Sequence, residues 1–297
     1  MTLEQLRIFV EVAEREHLTQ AATALSLTPS AVSASIRMLE NRYGTPLFNR
    51  VGRRIETSAA GRIFLTEARA TLASARAAEL TLAELGGLTR GTVSIQASQT
   101  IASYWLPALL VRFRQTYPQI ELNLTVGNTQ QVAHAVVEGA ADLGFIEGHI
   151  DQAALAIETV DEDRIVAVVA PGHPWANGER LKPSELLAGQ WIMREQGSGT
   201  RSAFEAILEE IGVDLGGLQI ALTLPSNEAV RSAVMAGPFA TVVSELVVAS
   251  HLQAGLLCKV NIDLPPRSFY LLRHKERYKT KASLALQEVI QQRQAVM

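Results

Sequence analysis

The sequence predicts a multidomain fold: an all-α N-terminal domain carrying a small β-wing, one long linker helix, and a two-lobed α/β region. Three observations predict it. The first 58 residues contain three short helical segments, residues 59–90 form one alanine-rich helical pattern, and residues 91–297 alternate short apolar strands with helices. At 297 residues the chain is long enough for two or three domains, each with its own core.

The composition is that of a globular protein, with 47% hydrophobic and 19% charged residues. No apolar run approaches the ~18 residues of a membrane span, and the N-terminus lacks a secretion signal. We therefore expect a cytoplasmic protein without a membrane partner. The single cysteine, Cys258, argues against an internal disulfide framework and a cysteine zinc site, and we expect no cofactor.

The first three helices are each predicted by a start signal and a periodic apolar face. Thr2 and Gln5 form a capping box, and the apolar positions that follow are Leu6, Phe9, Val10 and Ala13. A second helix starts near Thr19, with a buried side of Ala21, Ala22 and Leu25. Thr28 before Pro29 starts a third helix, which Gly44 ends; its apolar side is Val32, Ile36 and Leu39.

Charge is distributed unevenly along the chain. The net charge of −3 argues against a nucleic-acid partner, yet six arginines and two glutamates between Thr28 and Arg62 give a local charge of +4. The first lysine is Lys182, so lysine is absent from the first 181 residues and arginine carries their positive charge. The planar guanidinium of arginine suits phosphates and guanine edges. A solvated surface in an arginine-rich composition explains the pattern equally well.

The second and third helices have the spacing of a helix-turn-helix, in which the start of the second helix of the motif reaches base edges in the major groove. The candidate DNA-contacting residues there are Thr28, Pro29, Ser30, Ser33, Ala34 and Arg37. The segment from Pro46 to Ser58 predicts a β-wing, whose Arg50, Arg53 and Arg54 would lie near backbone phosphates or the minor groove.

The linker pattern runs from Ala59 to Leu85 and stops at Gly86-Gly87. Its heptad a/d positions are Leu65, Ala68, Leu72, Ala75 and Leu82, with Glu79 breaking the seam. This narrow stripe predicts a dimerising helix. The alternative is a helix packed only against its own domain.

The remaining sequence predicts mixed sheets with helices on both faces. The predicted strands are 93–97, 120–126, 142–146, 165–170, 191–193, 218–222, 240–243, 256–260 and 269–272. The predicted helices are 101–116, 130–138, 201–211, 228–236 and 281–294. We place crossovers near Asp161–Arg164 and Leu264–Arg267, so that lobe I is 91–162 with 267–297 and lobe II is 163–266.

Polar side chains follow several of these strands, where ligands of open α/β sheets bind. Hydroxyls, amides and helix N-termini at this edge predict an anionic ligand. The candidate effector-binding residues are Ser98, Gln99, Thr100, Asn128, Thr129, Glu147, Arg194, Gln196, Ser198, Gly199, Thr200 and Arg201. Ordinary helix capping explains Asn128 or Ser226 without any ligand.

The first 65 residues resemble the DNA-binding domain of LysR-type transcriptional regulators. The matching segments are Leu3–Phe9, Gln20–Ala22, Ser30–Ser33, Ile36-Arg37, Leu39-Glu40, Gly44, Pro46–Arg50 and Thr57–Gly61. Pro29 and Ala34 depart from the family pattern, so its operator sequence does not carry over. The resemblance spans the whole chain and implies a winged helix-turn-helix, a linker helix and an effector domain similar to periplasmic binding proteins. It also implies that the protein binds double-stranded DNA and a small-molecule effector, and that it forms a homodimer or homotetramer.

Within the family, four segments point to a particular group of members: Ala97–Ala102, Gly127–Thr129, Ile146–Gly148 and Gly197–Arg201. They resemble members associated with sulfur and sulfite metabolism, which favours sulfite or sulfate. The last also occurs in members that control carbon fixation and respond to phosphorylated metabolites. Gly237-Pro238-Phe239 departs from the family's usual Gly-x-Gly. Glu147 would repel an anion unless it pairs with Arg194 or Arg201, is protonated or moves; we hypothesise that effector displaces it.

An enzyme is the main alternative class, and the motifs argue against it. The six histidines, at positions 17, 134, 149, 173, 251 and 274, show no metal-ligand spacing. No P-loop, Gly-x-Gly-x-x-Gly fingerprint or Gly-x-Ser-x-Gly elbow is present. A free-standing solute-binding protein would not carry the first 90 residues. We therefore expect a regulator and not an enzyme.

Overall fold

The computed structural model describes residues 1–51, 54–85, 91–148 and 150–294. The chain divides into two compact units, one formed mainly by residues 1–88 and the other by most of the remainder. No helix in these described ranges is long and apolar enough to cross a bilayer. Arg53, Gly86-Gly87 and His149, which the sequence singles out, lie outside the described residues.

The N-terminal unit begins with three helices, α1 (Leu3–Arg15), α2 (Leu18–Ala24) and α3 (Pro29–Tyr43). The predicted capping box of Thr2 and Gln5 is present, and Thr28 caps α3 by accepting a hydrogen bond from the amide of Ala31 at 3.2 Å. Gly44 ends α3 with φ of 64°, a left-handed conformation that costs glycine little. The apolar faces of the three helices pack around Phe9.

The predicted wing is an antiparallel pair, β1 (Phe48–Val51) and β2 (Arg54–Thr57). Glu40 of α3 fixes the start of the wing because its Oε1 accepts hydrogen bonds from the amides of Leu47 at 2.7 Å and Phe48 at 3.1 Å. Helix α4 follows and spans Ala59–Leu85, as its alanine-rich pattern predicts.

The apolar stripe of α4 divides into two parts. Ala68 is 1% exposed, and Leu65 and Leu72 pack against the core of the N-terminal unit. Leu82 is 71% exposed. The first part of the stripe therefore belongs to the domain core, as the alternative interpretation holds, while dimerisation through the later part stays a prediction.

Lobe I of the second unit is a five-stranded sheet, made of β3 (Gly91–Ser98), β4 (Ile120–Gly127), β5 (Leu143–Glu147), β6 (Leu155–Asp163) and β12 (Arg267–His274). The strand order in this sheet is β4-β3-β5-β12-β6. β3 runs parallel to β4 and β5, whereas β12 is antiparallel to β5 and β6. The lobe also contains α5 (Leu106–Thr116), α6 (Thr129–Glu138) and α10 (Lys281–Gln294).

Lobe II is a second five-stranded sheet, made of β7 (Ile165–Val169), β8 (Gln190–Arg194), β9 (Gln219–Leu224), β10 (Ala240–Ser244) and β11 (Cys258–Lys259). The strand order in this sheet is β11-β7-β10-β8-β9. The helices are α7 (Gly199–Glu210), α8 (Asn227–Met235) and α9 (Glu245–Gln253), with short 3-10 turns between other elements. The rings of Trp191 and Phe204 pack against each other in its core, 5.0 Å apart and tilted by 44°. The chain passes between the lobes after Asp163 and before Arg267.

Apart from the short 3-10 turns, which were not predicted, three elements differ most from the sequence-based expectation. β6 was not predicted, because this edge strand buries few of its side chains and carries several carboxylates. α9 was not predicted, because it follows β10 directly within one apolar stretch. The helix predicted over 101–116 begins with a π-helical turn, Ile101–Trp105, and becomes α-helical at Leu106, where Pro107 lies in the first turn.

Candidate functional site

The surface of α3 presents the side chains that the sequence predicts for base contact. Thr28, Pro29, Ser30, Ala34 and Arg37 are exposed, and Ser33 is half-buried. They lie away from the apolar residues that α3 buries in the core of the unit. The Nε of Arg37 donates to the backbone oxygen of Ser33 at 3.3 Å, which holds the guanidinium along the helix. On the wing, Arg50 is exposed on β1 and Arg54 lies on β2.

The second candidate site lies in the second unit, between the carboxyl ends of the strands of the two lobes. The two lobes contact each other directly there. Asn227 lies at the start of α8 in lobe II. Its side-chain Nδ2 donates to Thr100 Oγ1 at 3.1 Å, and its backbone N–H donates to Gln99 Oε1 at 2.6 Å. Nearby, the amide of Gln130 donates to the backbone oxygen of Gly197 at 3.4 Å. A ligand in this cleft must therefore replace or rearrange some of these contacts.

Glu147 is buried at the end of β5, within this cleft. Its carboxylate accepts a hydrogen bond from the hydroxyl of Ser98, and its backbone oxygen accepts one from Thr129 Oγ1 at 2.7 Å. Gly199 of lobe II packs against the same backbone, since a Cβ at Gly199 would lie 2.1 Å from the Glu147 oxygen. Ser98, Thr129, Glu147 and Gly199 are therefore brought together as the sequence predicts.

Of the three alternatives that the sequence leaves open for Glu147, pairing with Arg194 or Arg201 is not the one that the structure shows. Arg194 pairs with the adjacent Glu195, at 2.8 Å and 3.0 Å, and also donates to Asn227. Arg201 pairs with Glu205 at 2.6 Å, one helical turn away, and donates to the backbone oxygen of Arg194 at 3.0 Å. Both arginines are satisfied by carboxylates close to them in sequence. The guanidinium that faces Glu147 belongs to Arg267, 3.8 Å away.

The other predicted cleft residues occupy different positions. Thr200 and Ser198 are buried at the start of α7, and Ser198 makes no capping hydrogen bond with its side chain. Asn128 exchanges capping hydrogen bonds with Gln131 and donates weakly to Glu195 at 3.4 Å. Gln196 is exposed to solvent.

Three buried residues of the cleft were not among the predicted site residues: Asn227, Arg267 and Asp163. Arg267 donates two hydrogen bonds to Asp163 Oδ2, at 2.8 Å and 2.7 Å, and a third to Thr200 Oγ1 at 3.0 Å. Burial raises the pKa of the Asp163 carboxyl above its ordinary value. The effect of burial is larger than the lowering of this pKa by Arg267 and by the hydrogen bond from Ser244. Asn227 lies at the helix start that the sequence marks at Ser226, and Asp163 and Arg267 lie within the predicted crossovers, but no sequence signal gave these two a place in the site.

Within the described ranges, no three or more His, Cys, Asp or Glu side chains form a group that could hold a metal ion.

Two family models match this chain. The model of the bacterial regulatory helix-turn-helix protein, lysR family, matches residues 3–62, and the LysR substrate binding domain matches residues 86–295. The chain belongs to the LysR family. The HTH-type transcriptional regulator YeiE of Escherichia coli K12 is 37% identical over 284 residues, covering 95% of this chain and 94% of YeiE. CysL of Bacillus subtilis is 31% identical over 274 residues and 91% of both chains.

Solved LysR-family structures have the same fold. Full-length CbnR in complex with its target DNA has a TM-score of 0.69 at 21% identity, covering 98% of this chain and 99% of CbnR. The regulatory domain of CcmR from Synechocystis, in complex with 2-PG, has a TM-score of 0.63 at 26% identity, covering 68% of this chain and 97% of that domain. This LysR-family chain is thus a DNA-binding transcription regulator with an effector-binding domain, and not an enzyme.

Proposed function

We propose that this LysR-type regulator binds a small anionic metabolite between its two lobes, with a sulfite-like or sulfate-like oxyanion favoured, and that binding alters its interaction with promoter DNA. The main support is the direction of two buried hydroxyl groups. Thr100 Oγ1 accepts a hydrogen bond from Asn227, and Thr200 Oγ1 accepts one from Arg267. A hydroxyl that accepts in this way still has its own O–H to donate, and an oxyanion accepts such donors.

The start of α7 supports the same ligand class. Its N-cap residue, Ser198, is buried in the cleft and makes no capping hydrogen bond to the amides of the first turn. Helix N-termini attract anions, and each contributes about 0.3–1 kcal/mol through the helix dipole. An anion near Ser198 would receive this contribution together with the directed hydroxyls.

The charges of the cleft favour an anion of low charge. Arg194, Arg201 and Arg267 are each paired with a nearby carboxylate, so no guanidinium among them offers its full charge to a ligand. Glu147 adds a further buried negative charge. Our hypothesis is that the effector displaces the Glu147 carboxylate from the Ser98 hydroxyl and takes the hydrogen bond that Ser98 donates.

A phosphorylated or carboxylate metabolite is the second candidate. The related CcmR domain, 26% identical to this chain, has been solved with 2-PG, a small anionic ligand. The same directed hydroxyls and helix terminus suit phosphate or carboxylate oxygens.

Thermal denaturation of the full-length chain in the presence of sulfite, sulfate, phosphate, 2-PG and chloride tests the proposal. At a hundred times its dissociation constant a true ligand stabilises the protein by about 2.7 kcal/mol. Thr100→Val, which removes one directed hydroxyl, should weaken the response, whereas Thr116→Val, at an exposed hydroxyl on α5, should not. Glu147→Gln should change the affinity for the anion, because the glutamine side chain that the anion would displace carries no charge.

The outcomes separate the parts of the proposal. A wild-type chain that responds to none of these anions contradicts the anionic class and leaves the DNA-binding assignment intact. An unchanged affinity in Glu147→Gln contradicts displacement of that carboxylate. A response to phosphate or 2-PG but not to sulfite or sulfate selects the second candidate.

A further inference from the structure

Arg267 lies where the chain returns from lobe II to lobe I. It is the first residue of β12, and its register partner, Asp163, is the last residue of β6, where the chain leaves lobe I. The Nε and Nη2 of Arg267 both donate to Asp163 Oδ2, at 2.8 Å and 2.7 Å. One ion pair therefore joins the two strands that flank the crossovers.

The remaining contacts of this pair extend into both lobes. Arg267 Nη1 donates to Thr200 Oγ1 at 3.0 Å and lies 3.8 Å from Glu147 Oε1. Ser244, at the end of β10 in lobe II, donates to Asp163 Oδ1 at 2.7 Å. Arg267 is 8% exposed and Asp163 is 4% exposed, so these hydrogen bonds are made away from solvent. Buried charge-assisted hydrogen bonds of this kind are strong and directional.

We propose that Arg267 is a positioning residue of the effector site, which directs the Thr200 hydroxyl into the cleft and ties α7 to the crossovers. The inference rests on the anion-binding function proposed above. Because Thr200 Oγ1 accepts from Arg267, its own O–H points to another acceptor. An anion that takes this O–H is linked, through Arg267, to Asp163 and to the two strands that flank the crossovers.

The guanidinium geometry is essential to this role. Arg267 donates from three nitrogen atoms at once, two toward Asp163 and one toward Thr200. A lysine ammonium carries its donors on one nitrogen and cannot reproduce this fork. Arg267→Lys should therefore keep the charge pair with Asp163 and lose the direction of the Thr200 hydroxyl.

The experiment is a double-mutant cycle on the full-length chain, titrated with sulfite and, separately, with phosphate in thermal-shift measurements. We expect Arg267→Lys and Thr200→Val each to weaken anion binding about tenfold, and the double variant to be no weaker than either single variant. Without anion, the melting temperature of Arg267→Lys should lie within about 3 °C of wild type. Arg273→Lys, on the same strand, is the matched control and should bind like wild type.

Each negative result of this experiment leads to a different conclusion. Wild-type affinity in Arg267→Lys, or independent losses that multiply in the double variant, overturns the role of Arg267 and leaves the anion-binding proposal standing. No response of the wild-type chain to either anion overturns both. If Arg267→Lys does not fold, the paired change Asp163→Asn with Arg267→Gln replaces it, and unchanged affinity in that variant likewise overturns the inference.

Discussion

Arg37 illustrates what one residue contributes to the DNA-binding surface. It is exposed on α3, one turn after Ser33, and its only described hydrogen bond is to the backbone of its own helix. If it reads a base, Arg37→Ala should weaken specific binding by about 1–3 kcal/mol and relax the preference at one operator position. Fluorescence anisotropy at fixed salt, with an operator selected from random DNA, measures this change.

Arg15 provides the control for that measurement. It also lies in the N-terminal unit, but its side chain pairs with Glu11 on α1. Arg15→Ala should leave the sequence preference unchanged. Equal affinity and equal preference for wild type and Arg37→Ala would show that Arg37 does not contact a base.

Residue partners in the cleft were the least predictable feature at this scale. The sequence identified Glu147, Arg194 and Arg201 as residues of one site and left open whether Glu147 pairs with either arginine, which it does not. Glu195 and Glu205 lie nearest to the two arginines along the chain and neutralise them locally. The cationic neighbour of Glu147 is Arg267, which belongs to no sequence motif.

At the scale of elements, the 3-10 helix Pro174–Asn177 depends on a histidine cap. His173 Nδ1 accepts a hydrogen bond from the amide of Trp175 at 3.1 Å, and burial lowers the pKa of His173 below its ordinary value of 6.5. A histidine with a depressed pKa in the folded state stabilises the fold above pH 6.5, and this contribution is lost as the pH falls through the folded-state pKa. The neutral ring accepts the hydrogen bond, whereas a proton on Nδ1 abolishes it.

His173→Asn should remove that pH dependence, because the asparagine carbonyl accepts the same amide at every pH. Between about pH 7.5 and about pH 5 the melting temperature of wild type should fall more than that of His173→Asn. Differential scanning calorimetry at several pH values measures both. Parallel curves would show that this cap does not titrate in the range.

The elements also show where local patterns fail. The caps and periodic faces of α1, α3 and α4 lie within a few residues of one another in sequence, and their bounds follow closely from those patterns. β6 lies at the edge of its sheet with most of its side chains exposed or half-buried, so its sequence lacks an apolar signature. Its assignment depends on pairing with β12, which lies more than a hundred residues further along.

At the scale of the whole molecule, the effector domain depends on a close approach between its lobes. A Cβ on Gly199 of lobe II would lie 2.1 Å from the backbone oxygen of Glu147 and 2.5 Å from Thr129 Oγ1, both in lobe I. Gly199→Ala should therefore destabilise this arrangement by about 1–3 kcal/mol, as overpacking does, and weaken anion binding. Thermal denaturation with and without sulfite measures both effects.

Gly172→Ala is the control for this change, since a Cβ at Gly172 would meet no atom within 4 Å. Wild-type stability and anion response in Gly199→Ala would mean that the lobes do not depend on this approach. A loss of stability with an unchanged anion response would separate lobe packing from effector binding.

The sequence by itself determined the helices of the N-terminal unit, the wing, the extent of α4, the division into two lobes and the family, because caps, turn residues and apolar periods act over a few neighbouring residues. Only the tertiary structure decided which polar groups meet in the cleft. Arg267 and Asp163 are 104 residues apart, and Asn227 and Thr100 are 127 residues apart. Such pairs are selected by strand order and by the crossovers, which bring distant segments to one edge and exclude water between them. No local pattern encodes that outcome.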